Sequence, residues 1–160
     1  MGTWRLIFSL VFAITMAILY SSHAHNEPED YVLAHSCIRN AFGLQPLCWD
    51  RKLAETAQAW ADKRKDCVLI HNNVSYGENM GMGPNLNAWW ATQMWINEKP
   101  DYDYEKNECI DGRMCGHYTQ VVWGNSKKIG CGRAQCDNGW SYMIVCNYDP
   151  PGNVVGQKPY

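Results

Sequence analysis

The chain has 160 residues, eight of them cysteines, and a formal net charge of −2 at pH 7. A chain of this length holds one domain built around a single core. The weakly acidic balance disfavours binding to nucleic acid or to an anionic membrane, because both partners need a basic surface.

The first 24 residues have the pattern of a secretory signal peptide. Arg5 supplies a positive charge, and an uncharged apolar run follows at residues 6–19. This run is shorter than the roughly 20 apolar residues that a membrane span needs. We predict cleavage after Ala24, which leaves a secreted domain of residues 25–160. The alternative interpretation is an uncleaved anchor.

All the cysteines follow the predicted cleavage point, and their even number in a small exported chain favours a disulfide framework. They are Cys37, Cys48, Cys67, Cys109, Cys115, Cys131, Cys136 and Cys146. A metal site is the alternative, but the sequence has no CxxC pair and no zinc-finger spacing. Asn73 begins an Asn-Val-Ser glycosylation sequon, which fits the same extracellular compartment.

Two helices are predicted in the first part of the domain. Pro28 and the acidic residues after it suit the start of a helix over residues 29–41, and Gly43 suits its end. Asp50 is a candidate N-cap for the second helix. That helix carries apolar residues at helical spacing and ends in the basic run 63–65, which complements the helix dipole.

Two more helices are predicted further along. The third covers residues 87–99, because Pro100 disfavours helix in the residue before it. It places Glu98 on the same face as Trp95. The fourth is short, over residues 116–123, and places His117 beside Gln120 and Val121. The Gly- and Asn-rich stretch 72–87 is predicted to be a long ordered loop with a turn at residues 76–79.

A β-hairpin is predicted at the end of the domain, because Asn138-Gly139 is a strong two-residue turn signal. The turn joins a strand over residues 129–136 to one over residues 140–148. In that register Cys131 lies directly opposite Cys146, within disulfide reach. We therefore predict a Cys131–Cys146 bond from the register alone.

Several motifs resemble the signature segments of the CAP superfamily. They are Gly-His-Tyr-Thr-Gln-Val-Val-Trp at 116–123, Gly-Cys at 130–131, Cys-Asn-Tyr-Asp-Pro-Pro-Gly-Asn at 146–153, Pro-Leu-Cys-Trp-Asp at 46–50, Tyr-Gly-Glu-Asn at 76–79 and Gly-Gln-Lys-Pro-Tyr at 156–160. Together they resemble the plant pathogenesis-related protein 1 family over residues 30–160. The resemblance implies an α+β fold, a three-layer α-β-α sandwich with a small antiparallel sheet between helices. It also implies the bonds Cys67–Cys136, Cys109–Cys115 and Cys131–Cys146.

Cys37 and Cys48 are additional to the six cysteines that the family usually has. Cys37 lies in the first predicted helix and Cys48 lies just before the second. We predict that they pair with each other. Two free thiols, or a bond to another molecule, are the alternatives.

The resemblance also implies a cleft that gathers His71, Glu78, Glu98 and His117. Two imidazoles with carboxylates as ligands or as orienting partners suit Zn²⁺ or another divalent cation, although the fold requires no cofactor. A His beside a Glu can also act as a general base. The structural alternative is a polar cluster whose members satisfy one another. We expect no enzyme in the usual sense, because the sequence has no HExxH motif and no nucleophile with a defined partner.

Lipid binding is a second implication of the resemblance, since CAP proteins bind sterols and related lipids. Aromatic and methionine residues cluster in the chain near the third helix, and such residues suit a flat apolar ligand. The cluster comprises Met80, Met82, Trp89, Trp90, Trp95, Tyr102 and Tyr104. We assign Trp95 to the core. Trp89 and Trp90 are consecutive and cannot both face inward, so they are lipid-binding candidates together with Tyr102 and Tyr104.

Residues 150–160 resemble a C-terminal segment that some family members release as a defence signal. A tail rich in Pro and Gly is expected to be exposed and cleavable. Release before Pro150 would give a peptide for a receptor. The alternative is a tail that simply packs over the sheet.

The prediction is therefore a monomeric, defence-associated protein secreted to the plant apoplast, antimicrobial through sterol or lipid binding. The alternatives are a peptide precursor and a weak metal-dependent hydrolase that uses the cleft.

Overall fold

The computed structural model describes residues 26–160, and the predicted signal peptide lies outside them. Within this range no helix is long and apolar enough to cross a membrane.

Residues 26–160 contain four α-helices close to the predicted positions: α1 (Pro28–Asn40), α2 (Arg51–Lys63), α3 (Ala88–Ile96) and α4 (Gly116–Val121). The predicted cap of α2 is confirmed. Asp50 Oδ1 accepts hydrogen bonds from the amides of Lys52 and Leu53 at the start of α2. Asn87 Oδ1 accepts from the Trp90 amide at the start of α3. The third helix ends earlier than predicted, and a 3₁₀ turn follows at Lys99–Asp101.

In the part of the chain that the structure describes, six strands form two sheets: β1 (Cys48–Trp49), β2 (Gly77–Pro84), β3 (Tyr102–Asp103), β4 (Glu108–Cys109), β5 (Lys128–Gln135) and β6 (Ser141–Asp149). The main sheet has the order β1-β5-β6-β2, and β3 pairs with β4 in a separate small hairpin. The β5–β6 and β6–β2 pairs are antiparallel, whereas β1 runs parallel to β5. The sheet is therefore mainly, but not wholly, antiparallel.

The prediction of a loop over residues 72–87 is wrong for its middle part, residues 77–84, where β2 lies. Three glycines and a proline give this segment little intrinsic strand preference. Pairing along its whole length with β6 holds it extended instead. The absence of a side chain at Gly77 is needed there, because a Cβ would collide with the Gln120 side chain.

The predicted hairpin register is confirmed, but the predicted two-residue turn is not. Cys131 faces Cys146, and Gln135 faces Tyr142. The strands stop one residue short of the prediction at the turn, and a longer connection joins them. One cause is that Asp137 bonds through its amide to the Lys65 carbonyl, which draws the connection toward the end of α2.

The main sheet lies between two helical layers, which confirms the predicted α-β-α sandwich. On one face, Ala57 and Ala61 of α2 pack against Met143 and Val145. On the other face, α1, α3 and α4 surround an apolar cluster that includes Trp95, Tyr118, Ile129, Ile144 and Tyr148. Residues 143–148 alternate between the two faces, as the two-residue period of a strand requires.

Three disulfides join Cys67 to Cys136, Cys109 to Cys115 and Cys131 to Cys146. These are the pairs that the family resemblance implies. The prediction of a Cys37–Cys48 bond is wrong, because both residues are exposed, free cysteines in the structure. Cys48 lines a surface groove with Val32 and Ser36 of α1. Cys37 is one residue beyond Ser36, so its side chain points about 100° away around the helix.

Candidate functional site

His71 and Glu78 form the first half of the implied cleft. His71 lies in the segment after α2, and Glu78 is the second residue of β2. The His71 Nδ1 atom is 2.7 Å from Glu78 Oε1, which also accepts from the Asn72 amide at 3.0 Å. The imidazole is 65% exposed, whereas the carboxylate side chain is only 4% exposed. Glu78 Oε2 is buried without a hydrogen-bond partner, so it is a polar atom left available on the cleft side of the sheet.

His117 and Glu98 form the second half. The His117 Nδ1 atom is 2.6 Å from Glu98 Oε1. Glu98 Oε2 accepts from the amides of His117 and Tyr118 at 2.9 and 3.3 Å, so the carboxylate holds the start of α4 as well as the ring. This use of both carboxylate oxygens fixes the orientation of His117.

Asn79 joins the two halves. Its Nδ2 atom donates to the His117 carbonyl at 3.0 Å and to the Tyr148 hydroxyl at 3.3 Å, which ties β2 to α4. The result is a small cavity of about 140 Å³ that both histidine rings line. Its lining consists of His71, Glu78, Asn79, Met114, Gly116, His117 and Asn153. Glu98 is not among these residues and supports His117 from behind.

The cleft offers a cation two imidazole nitrogens. An ionised carboxylate can only accept, so in a neutral imidazole beside it Nδ1 carries the proton and Nε2 keeps its lone pair. That is the arrangement found around metal-bound histidines. Among residues 26–160, however, no group of three or more His, Cys, Asp or Glu side chains is placed to hold a metal ion. A cation held here would therefore have at most the two histidine nitrogens as side-chain ligands and complete its shell with water.

The tryptophan candidates for lipid binding line a different site, a groove of about 310 Å³ between α1 and α3. Leu33 and Ala34 form one side, and Trp89 and Trp90 form the other. Leu33 and Trp90 are each about 60% exposed, and Trp89 is 44% exposed. Trp95 is buried, as predicted, and its indole donates to the Met80 carbonyl at 2.9 Å.

The tyrosine candidates do not belong to this groove. Tyr102 packs against Tyr118, and Tyr104 stacks on Tyr160 at 5.1 Å between ring centroids. The structure therefore divides the four lipid-binding candidates between a tryptophan groove and a separate tyrosine cluster. The four candidates are close together in the sequence, which does not show that they lie apart in the fold. Tyr118 and Tyr160, against which Tyr102 and Tyr104 pack, are distant from them in the chain.

Four lining residues of the cleft were not predicted as site residues from sequence: Asn79, Met114, Gly116 and Asn153. Met114 carried no signal beyond its place near Cys115. Asn153 lies in the tail and reaches α4, where it donates to the Gly116 carbonyl and accepts from the Thr119 hydroxyl. Asn73 is exposed in the segment that follows His71, and its glycosylation stays a prediction.

Comparison with known proteins gives concordant matches. The model of the CAP family, described as the cysteine-rich secretory protein family, matches residues 32–148. Pathogenesis-related leaf protein 4 of Solanum lycopersicum is 47% identical, over 100% of both chains. The basic form of pathogenesis-related protein 1 of Nicotiana tabacum is 51% identical, over 92% of this chain and 84% of that one. The solved structure of venom allergen-like protein 4 of Schistosoma mansoni has a TM-score of 0.70 at 28% identity, covering 87% of this chain and 94% of that chain.

Proposed function

This chain belongs to the CAP family, in its plant pathogenesis-related protein 1 branch, and on that premise we propose that it is secreted and binds a sterol or similar lipid. It is a defence-associated CAP protein. Withdrawal of sterol from the membrane of a pathogen would give it antimicrobial action in the apoplast.

The observation that carries this proposal is the apolar groove between α1 and α3. Single exposed apolar residues are ordinary, but Leu33, Trp89 and Trp90 expose large side chains around one concavity. Two indole rings offer flat apolar faces, and a fused-ring lipid is flat and apolar as well. The ligand would cover surface that otherwise orders water.

Binding of a radiolabelled sterol tests the proposal, with Trp140 as the matched control for Trp90. Both tryptophans are 60% exposed, but Trp140 lies near the tip of the β5–β6 hairpin, away from the groove. We expect saturable binding that Trp90→Ala weakens about tenfold, which corresponds to about 1.4 kcal/mol. Trp140→Ala should leave the affinity unchanged. An absence of saturable binding, or equal losses in the two variants, would overturn the proposal.

A second candidate function is weak binding of Zn²⁺ or another divalent cation in the cleft. It is favoured by the two carboxylate-bound Nδ1 atoms, which leave both Nε2 atoms as acceptors. Calorimetric titration of Zn²⁺ into protein without a polyhistidine tag tests it. We expect heat from the natural chain and none from the His71→Ala/His117→Ala double variant. Equal heats would remove the site.

We favour binding over turnover for the cleft. Glu98 uses both oxygens to hold His117 and the start of α4, so it is not free to take a proton from water without disturbing them. The hydrolase alternative has its own test: a measured turnover that Glu98→Gln abolishes while the fold persists.

A third candidate function is a precursor of a signalling peptide. Pro150 and most of the residues after it are exposed, which leaves the chain open to a protease on the carboxyl side of β6. Peptidomics of apoplastic fluid after stress should detect a fragment that begins at Pro150. Its absence would count against the precursor role.

A further inference from the structure

The segment 150–160, here called the tail, is attached to the domain at its beginning. The Ser126 hydroxyl donates to the Pro150 carbonyl at 2.8 Å. The Gly152 amide donates to Gln120 Oε1 at 2.9 Å, and a Cβ on Gly152 would collide with Gln120 and Trp123. Asn153 adds its two bonds to α4. These contacts form a fitted seat for residues 150–153.

The tail is attached a second time at its other end, in the tyrosine cluster. The Gly124 amide donates to the carbonyl of Pro159, which is buried. The Tyr160 hydroxyl is 2.7 Å from the Tyr118 hydroxyl, and the Tyr104 hydroxyl donates to the Tyr160 carbonyl at 2.5 Å. The Tyr160 ring packs against Phe42 at 4.9 Å between centroids.

Between the two attachments the tail bends away from the domain. Val155 is 99% exposed, and Gly156 has a φ of +81° in the turn that follows. In this middle part, the Gln157 carbonyl accepts a hydrogen bond from Asn107 Nδ2 at 3.1 Å. The tail therefore binds as a ligand with two anchors and a free centre.

We propose that α4, the 123–126 turn and the rings of Phe42, Tyr104 and Tyr118 form a peptide-binding site that retains the tail after the chain is cut before Pro150. The biological setting of this proposal rests on the proposed precursor role. Neither anchor depends on the bond between Asp149 and Pro150, since their partners all lie in the domain. Cleavage and release are thus separate steps, and the cut protein is a complex of a domain with its own peptide.

The tyrosine anchor is expected to control the rate of release. The first anchor consists of single hydrogen bonds, and Asn153, which makes two of them, is exposed, so water can replace these bonds one at a time. The second anchor buries Pro159 and inserts the Tyr160 ring between aromatic neighbours, so its loss requires a concerted exit. Burial raises the pKa of Tyr118 far above its ordinary value, which keeps its hydroxyl protonated and able to bond Tyr160.

The test uses the full domain with a site for a sequence-specific protease inserted between Asp149 and Pro150. After cleavage under native conditions, the tail should co-elute with the domain in size-exclusion chromatography. Tyr160→Ala should accelerate its dissociation at least tenfold. Val155→Ala, in the free centre, should change the rate less than twofold. Immediate separation of the cut natural sequence, or equal rates for both variants, would overturn the proposal.

Hydrogen exchange on the uncut natural chain gives a second readout that needs no insertion. The Gly124 amide should be protected through its bond to Pro159, lose protection in Tyr160→Ala and keep it in Val155→Ala. Unprotected Gly124 in the natural chain would also overturn the proposal. The precursor role fails separately, by the absence of a Pro150 fragment from stressed tissue, and that result leaves the retention measurements unaffected.

Discussion

His35 lies fully buried in a chain of hydrogen bonds that links α1 to the sheet. Its Nδ1 atom donates to the Tyr31 carbonyl, and its Nε2 atom accepts from the Tyr148 hydroxyl, each at 2.8 Å. Asn79 donates to the same hydroxyl and to the His117 carbonyl, so the chain ends at the cleft. Burial lowers the pKa of His35 to about 4, and the nearby Arg39 charge acts in the same direction. The ring is therefore neutral in the folded protein near neutral pH.

This neutral ring makes the stability of the domain dependent on pH. Below pH 6.5 His35 becomes protonated in the unfolded chain, whereas in the folded chain it stays neutral down to about pH 4. The unfolded state thus binds more protons in this window, and acidification favours it. We expect the free energy of unfolding to fall by about 3 kcal/mol more between pH 7 and pH 4 in the natural chain than in His35→Gln. Urea titrations at a series of pH values measure this difference, and parallel pH profiles for the two proteins would contradict it.

Arg39 is a second buried polar residue, and it binds main-chain carbonyls at the C-terminal end of α4. It donates four hydrogen bonds to main-chain carbonyls, those of Gln45, Val121, Trp123 and Ser126. The planar fork of the guanidinium reaches all four at once, which an ammonium group with three donors cannot do.

Substitution of Arg39 should therefore be costly even when a positive charge is kept. We expect Arg39→Met and Arg39→Lys each to lower the free energy of unfolding by at least about 3 kcal/mol, because buried carbonyls lose their donors. Arg51 is the matched control: its side chain is 91% exposed, in an ion pair with Glu55. Arg51→Met should change stability by less than about 0.5 kcal/mol. Chemical denaturation compares the three variants, and a tolerated Arg39→Lys would refute the fork argument.

Helix α2 lies so close to β5 that two glycines of the strand face its backbone directly. A Cβ on Gly130 would collide with the backbone of residues 50–54, and one on Gly132 would collide with the backbone of Gln58. The Gln58 side chain uses this proximity to bond both the amide and the carbonyl of Arg133, at 2.9 and 3.0 Å. Small residues on both elements, including Ala57 and Ala61, thus set the thickness of this half of the sandwich.

Gly132→Ala should push α2 away from the sheet. We expect a loss of about 2–3 kcal/mol or more in the free energy of unfolding, since the colliding atoms belong to a helix backbone and cannot rotate away. Gly83→Ala on β2 is the control, because nothing lies within 4 Å of its added Cβ. That variant should remain within about 0.5 kcal/mol of the natural chain. Thermal and urea unfolding check both, and equal stabilities would show that the helix can shift without cost.

The elements that sequence alone located are those whose signals are local. Helical periodicity and the Asp50 cap act within a few residues of the structure they specify, and the Asn-Gly signal lies in the connection between β5 and β6. Strand β2 escaped detection because its extended form depends on pairing with β6, about 65 residues later in the chain. The parallel β1–β5 pair, with only two residues in β1, escaped for the same reason.

The candidate site was less readable than the fold. The four cleft residues came from the family resemblance, since no spacing rule connects positions 71, 78, 98 and 117. The pairing of His71 with Glu78 and of His117 with Glu98 is a property of the packed elements. Tyr102 and Tyr104 were grouped with the tryptophans because they are neighbours in sequence, while Tyr102 packs against Tyr118 and Tyr104 against Tyr160, both later in the chain.

The three disulfides reinforce different parts of the sandwich. Cys67–Cys136 lies in the core between α2 and the sheet. Cys131–Cys146 joins β5 to β6 on the opposite face. Cys109–Cys115 closes a short loop between β4 and the start of α4. Their sequence separations of 69, 15 and 6 differ widely, so they restrict the unfolded chain to different degrees.

The longest of these loops should contribute most to stability. A cross-link stabilises mainly by lowering the entropy of the unfolded chain, and this effect grows with loop length. For separations of 69 and 6 it amounts to about 4 and about 2 kcal/mol respectively. We therefore expect Cys67→Ala/Cys136→Ala to lower the free energy of unfolding about twice as much as Cys109→Ala/Cys115→Ala. Urea unfolding measures both under conditions that preserve the remaining disulfides. Equal losses would mean that native packing around each bond, and not restriction of the unfolded chain, sets its contribution. Because Cys115 directly precedes α4, the shorter bond should instead show its effect locally, as faster hydrogen exchange at the start of that helix.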